Sequence, residues 1–117
     1  MPSKATIRPA TRADVEAYWQ RPVPGTLRAV VAELDGKPVG IGGVYYEGGV
    51  RLAFSEYKDE LRNDKRTKAR GFKMIMEILN SIKGPVYAAV CPDEPTAPSL
   101  LARLGFRPLH DGWLVRG

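Results

Sequence analysis

The chain has 117 residues, 44% hydrophobic and 26% charged, enough for one packed domain and too apolar for wholesale disorder. One cysteine and one histidine exclude an intrachain disulfide framework, a cysteine-rich zinc site and any metal site that needs two histidines. The net charge of +5 sits in one stretch, where Arg62, Lys65, Arg66, Lys68, Arg70 and Lys73 face only Asp64, so an anionic partner is expected there.

No apolar run approaches the roughly 18 residues of a membrane helix. The opening MPSKATIRPATR lacks the apolar stretch of a secretory leader. These features read as a soluble, cytoplasmic chain with no membrane partner, forming a single domain over residues 1–117.

Residues 5–9 alternate weakly and predict a short first strand. Thr11 is placed to cap a helix over 12–20, with Val15, Tyr18 and Trp19 on one face. The breaker Arg21-Pro22-Val23-Pro24-Gly25 follows directly, so any second helix here is very short. Residues 27–34 predict a strand, and Asp35-Gly36 a tight hairpin with two positive φ values. Residues 38–46 return, with Gly40, Gly42 and Gly43 permitting a bulge or a close backbone approach. Gly48-Gly49 turns the chain into a strand over 50–57.

The longest helix is expected from about 65 to 83, capped by Asn63 or Asp64, with a core stripe of Phe72, Ile75, Met76, Leu79 and Ile82. Gly84-Pro85 stops it. Residues 86–91 form a continuous apolar run, which predicts a strand covered on both faces. A loop over 92–98 leads into a short helix at about 97–104, closed by Gly105. Residues 107–116 supply one or two last strands around Asp111-Gly112. The order β-α-β-β-β-α-β-α-β predicts an α+β fold, a mixed and mostly antiparallel sheet flanked by helices.

The helix at 65–83 breaks a local rule. A helix start carries partial positive charge and favours acidic residues, yet Lys65, Arg66, Lys68 and Arg70 crowd this one. Each such placement costs about 0.3–1 kcal/mol at an exposed site. A bound phosphate reverses that sign; the plainer role is a solvated basic face. Nucleic acid is disfavoured as the anion, because neither aromatic-basic interleaving nor a helix-turn-helix pattern accompanies the cluster.

Arg66-Thr67-Lys68-Ala69-Arg70-Gly71 resembles the pyrophosphate-binding motif R/Q-x-x-G-x-G/A of the GNAT superfamily of N-acetyltransferases, with Ala69 in place of the middle glycine. The stretch from Glu94 to Phe106 is similar to the family's N-x-x-A-x-x-L-Y-x-x-L-G-F. It matches at Ala97, Leu100, Leu104, Gly105 and Phe106, and departs at Glu94 and at Leu101, where many members place a tyrosine that protonates the thiolate. Ile7-Arg8-Pro9-Ala10-Thr11 resembles the family's first strand and helix cap, and the stretch from Glu33 to Ile41 its second hairpin. The charged stretch from Lys58 to Lys65 is similar to that of small GNAT-like proteins of tailed phages and prophages.

The resemblance implies a GNAT fold and direct acetyl transfer from acetyl-coenzyme A to an amine. It implies that Arg66, Thr67, Lys68, Ala69, Arg70, Gly71 and Phe72 hold the pyrophosphate, with Lys65 nearby; Ser99 either touches the cofactor or is an ordinary first-turn helix residue. Glu56, near the end of the fourth strand, is the candidate base, directly or through water; a solvent-facing strand residue is its plainer role. Tyr57 is a weaker candidate acid or substrate wall. Tyr45 and Tyr46 pack or line the acceptor cleft, and Trp19 and Trp113 read as core or rim aromatics. Cys91 reads as a small buried residue and His110 as a surface or turn residue. No metal is expected. The acceptor is a small-molecule or protein/peptide amine, and the short loop at 21–26 suggests an open cleft. Ala69 and Leu101 also fit a catalytically inactive GNAT-fold binding or assembly module of phage origin. Pairing into a homodimer is a further expectation for a chain this small.

Overall fold

The computed structural model describes residues 5–23, 25–89 and 101–117. Strand β1 (Thr6–Ala10) leads to helix α1 (Arg12–Trp19), then to β2 (Leu27–Leu34), β3 (Lys37–Glu47) and β4 (Val50–Tyr57). A 3-10 turn (Asp59–Leu61) precedes α2 (Lys65–Asn80), followed by β5 (Val86–Ala89), β6 (Arg107–His110) and β7 (Trp113–Arg116). The helix expected at 97–104 is described only from 101, where residues 101–103 are helical. The expected α+β architecture holds: one seven-stranded sheet in the order β1-β2-β3-β4-β5-β7-β6. The pairings are antiparallel except for β4 with β5, which is parallel.

Turn chemistry sets the meander. Asp35 and Gly36 have φ of 53° and 79°, the two positive values that a type I′ hairpin needs. Asp111 and Gly112 repeat the pattern at 49° and 78° and split the last segment into two strands.

Helices cover the two faces of the sheet. On one face Val15 of α1 packs with Ala29, Val31 and Ile41. On the other, Ile78 and Leu79 of α2 pack with Val30, Val44, Val86 and Leu114. Period-2 alternation along the strands makes that division. The stripe on α2 is wider than its sequence spacing predicts: Ile78 is buried and Met74 packs at its edge.

Two expectations change. Helix α2 ends at Asn80, about one turn before the Gly84-Pro85 stop, because Ser81 Oγ donates to the Ile78 carbonyl at 2.7 Å and Ile82 N–H bonds Leu79 at 3.1 Å. Strand β5 is not covered on both faces: Val86 and Ala88 are buried but Ala89 is exposed. Its apolar run reflects one packed face and one face at a cleft. Residues 90 and 91, with Cys91, lie outside the described residues.

Arginines tie these elements together. The Arg116 guanidinium donates to the Leu79 carbonyl at 2.9 Å and the Leu104 carbonyl at 2.8 Å, satisfying carbonyls that helix ends leave open. Arg8 bridges Asp14 at 2.8 Å and Glu33 at 2.7 Å, while Asp14 and Thr11 form a capping box at the start of α1.

Two stability effects follow. A Cβ on Gly43 would run into the Arg28 carbonyl oxygen and stand 2.6 Å from Ala29 Cα. Gly43→Ala is expected to cost about 1–3 kcal/mol, read from denaturant midpoints at constant m-value. Hydrogen bonds from Arg8, and then from the Thr11 backbone, hold the Asp14 carboxyl well below its ordinary 3.8. A depressed value contributes stability above the unfolded pKa and loses it as pH falls through the folded one. The melting-temperature gap between wild type and Asp14→Asn is therefore expected to be widest above pH 3.8 and to shrink below it.

Candidate active site

Strand β4 is paired with β3 along its whole length, from Val50↔Glu47 to Tyr57↔Gly40. With β5 it shares, among the described residues, a single register pair, Leu52↔Tyr87. Strand β5 is described as far as Ala89.

A cleft of about 300 Å³ lies beside β4, lined by residues that include Trp19, Arg21, Tyr45, Phe54, Glu56 and Trp113. Alternation along β4 puts Leu52, Phe54 and Glu56 on the α1 face, opposite Tyr45, Gly43 and Ile41 of β3. Trp19, Tyr45 and Phe54 form a ring cluster with centroids 4.9–5.7 Å apart. Trp19 Nε1–H donates to Glu56 Oε2 at 3.0 Å, which fixes one carboxylate oxygen. The Arg21 guanidinium lies over the Trp19 ring at 4.7 Å.

The loop behind the cleft is tied down. Arg12 donates to the carbonyls of Val23 and Gly25, Glu16 accepts from the Val23 N–H at 2.8 Å, and Val23 is buried. Burial, followed by the charges of Glu56 and Glu60, raises the Tyr18 phenol above its ordinary 10.0. It therefore stays protonated through the physiological range.

Tyr57 points the other way. It is half-buried beside Leu61 and Val39 on the α2 face, with the Lys68 ammonium 4.7 Å from its ring centroid. The structure therefore separates Glu56 from Tyr57: the acid or substrate-wall role read for Tyr57 does not fall in the cleft, because neighbouring strand residues face opposite sides.

The basic helix start is reorganised by its cap. Asp64 Oδ1 accepts from the Thr67 N–H at 3.0 Å and Oδ2 from the Thr67 hydroxyl at 2.8 Å. The fully buried Thr67 side chain is thus turned to the cap. Lys68 Nζ donates to the Arg62 carbonyl at 3.0 Å, and Arg70 donates to the Ala5 carbonyl at 3.2 Å. Ala69, Arg70, Gly71 and Phe72 lie inside α2, where the ladder takes their N–H groups. Phe72 packs against the core. An anion site here contracts to the first turn, where Lys65 and Arg66 are exposed and no carboxylate pairs with either among the described residues. Ser99 lies outside the described residues.

Sequence reasoning missed the Trp19–Glu56 bond, Arg21 and Phe54. The available signal was the alternation Leu52, Phe54, Glu56, an apolar strand face ending in a carboxylate. Among the described residues no group of three or more His, Cys, Asp or Glu could hold a metal ion, and no helix is long and apolar enough to cross a membrane.

No family model matches the sequence, and no curated protein matches it. Solved structures do. A phosphinothricin acetyltransferase of the GNAT superfamily from Sinorhizobium meliloti, in complex with acetyl-coenzyme A, superposes with a TM-score of 0.62 at 14% identity, over 97% of this chain and 88% of the other. The chain has the GNAT acetyltransferase fold. The ribosomal-protein-S18-alanine N-acetyltransferase from Escherichia coli gives 0.61 at 13%, covering 95% and 90%. A GNAT family acetyltransferase from Elizabethkingia anophelis with acetyl-coenzyme A bound gives 0.56 at 11%, covering 98% and 99%. One GNAT framework thus serves proteins named for acceptors as unlike as phosphinothricin and a ribosomal protein.

The cap gives this region its own test. Asp64→Ala is expected to lower stability by about 1 kcal/mol, read as a fall in the melting temperature.

Proposed function

We propose that the chain is an acetyl-coenzyme A-dependent N-acetyltransferase that moves an acetyl group directly to an amine. The observation that carries this reading is the Glu56 carboxylate, held by Trp19 in a cleft lined by β4 and Ala89 of β5.

The residues present suit such a donor. The β4 edge after Leu52 offers backbone groups to an amide-bearing arm, and Lys65 and Arg66 offer charge-assisted hydrogen bonds to phosphates. The bound donor supplies a thioester-activated acetyl group. An acceptor amine with a pKa near ~10.4 is protonated at neutral pH and must lose that proton before it attacks. Glu56 takes it, directly or through a water, while Trp19 holds the carboxylate in one orientation. The rings of Trp19, Tyr45 and Phe54 exclude water from that side. A backbone N–H on the β4 edge is placed to polarise the reacting carbonyl.

A second reading has one observation in its favour. Leu101, where the family motif often has tyrosine, is half-buried against the core and carries no proton. A binding or assembly module of phage origin, holding the donor without turnover, fits that substitution. The acetyltransferase reading rests on Glu56 and on the good leaving character of a thiolate, which leaves without an acid. It includes an acceptor that is a small molecule or a protein amine, a cytoplasmic location and a homodimer.

Titrating acetyl-coenzyme A by calorimetry tests the proposal. One site per chain is expected, weakened tenfold or more by Arg66→Glu. Glu56→Gln is expected to keep that affinity and lose a hundredfold or more in kcat/KM. Binding with no product on any amine selects the second reading, and no binding removes both.

A further inference from the structure

Glu56 and Arg21 meet the same indole from different directions. Glu56 accepts from its Nε1 edge at 3.0 Å, and Arg21 lies over its face at 4.7 Å. No ion pair joins them: among the described residues no carboxylate lies within 4.0 Å of the Arg21 guanidinium. The cation is exposed and lines the same cleft as the carboxylate. Its position is set, because Arg21 N–H bonds the Glu16 carbonyl at 3.3 Å directly after the left-handed residue Gln20 that ends α1.

Among the described residues the cleft therefore presents one negative and one positive group, one indole apart, over an apolar floor of Tyr45, Leu52 and Phe54. A plain amine or polyamine would leave Arg21 without an anionic partner and meet its repulsion. An amine with a carboxylate on the neighbouring carbon satisfies both groups. Its nitrogen goes to Glu56 and its carboxylate to the guanidinium fork, which matches a carboxylate in two parallel hydrogen bonds. The remaining substituent lies on the aromatic floor, where apolar surface is favoured.

We propose that the acceptor is a free α-amino acid with an apolar side chain, and that Arg21 is the residue that selects its carboxylate. This deepens the acetyltransferase reading and rests on it. The transfer balances without a further reactant: Glu56 takes the ammonium proton and passes it to solvent, the amino nitrogen then bonds the acetyl carbon as the carbon–sulfur bond breaks, the electron pair leaves on sulfur as thiolate, and the second proton, lost from nitrogen as the amide forms, passes to Glu56.

The test is a binding measurement, so it does not need turnover. Both tryptophans of the chain, Trp19 and Trp113, line the cleft and report occupancy by fluorescence. Phenylalanine and phenylalaninamide, which lacks only the carboxylate charge, are titrated into the protein with and without saturating coenzyme A. Phenylalanine is expected to bind at least tenfold more tightly than the amide. Arg21→Gln is expected to abolish that difference while leaving coenzyme A affinity and the melting temperature unchanged. Equal binding of the two ligands, tighter binding of the amide, binding of neither, or equal loss of both in Arg21→Gln each overturns the proposal. Failure of coenzyme A to bind, with the phenylalanine preference intact, overturns the acetyltransferase reading instead.

Discussion

Strand β4 is bonded to β3 over eight register positions, and the site depends on that pairing. Among the described residues β4 shares one register pair with β5, Leu52 with Tyr87, which joins the two halves of the sheet. Fixed alternation on β4 then decides which side chains meet on each face. Phe54 and Glu56 face α1, and Ser55 and Tyr57 face α2, with no freedom to exchange. The cleft therefore lies on the α1 face, while Tyr57 meets Lys68 of the basic helix start on the other.

The start of α2 shows a competition between internal and external partners. Asp64 gives the helix the carboxylate that its dipole favours, and Lys68 and Arg70 are drawn to backbone carbonyls of Arg62 and Ala5. The sequence shows six cations in twelve positions; the structure divides them between fastening neighbouring segments and facing solvent. Arg62 pairs with Asp59 at 3.0 Å, so Lys65, Arg66 and Lys73 face solvent, the first two in the first turn of the helix. A cluster that reads as one charged patch is thus partly an internal brace. That division also explains how so many like charges coexist at one helix end.

Much of the fold is legible in the sequence because it follows from short-range rules. Asp35-Gly36 and Asp111-Gly112 name their turns, Thr11 and Asp64 their helix starts, and the strands of the meander fall within a residue or two of their expected bounds. The site is less legible because it is made of long-range pairings. Trp19 and Glu56 are 37 positions apart, and nothing local marks an indole that will reach a carboxylate on another strand. Arg21 reads as part of a breaker, and its place above Trp19 depends on the left-handed turn at Gln20. The same limit misassigned β5. Six apolar residues, 86–91, suggest burial on both faces, but which face is packed and which meets a cleft is set by the rest of the fold. Tyr57 was misplaced for a similar reason: it is adjacent to Glu56 in sequence and opposite to it in space.

The topology also fixes how the far side of the sheet opens. Strand β7 lies between β5 and β6, so β6 touches the sheet only through its hairpin partner. The pair therefore docks or detaches as one unit, and its pairing with β5 spans tens of residues of chain, a slow kind of contact to form. While it is absent, β5 shows a bare edge along Val86, Tyr87, Ala88 and Ala89, a segment without charge or proline, which invites pairing between chains. Once docked, the outer edge passes to β6, whose Pro108 breaks the donor row. Exposure of that edge is thus limited by how soon the last hairpin pairs with β5.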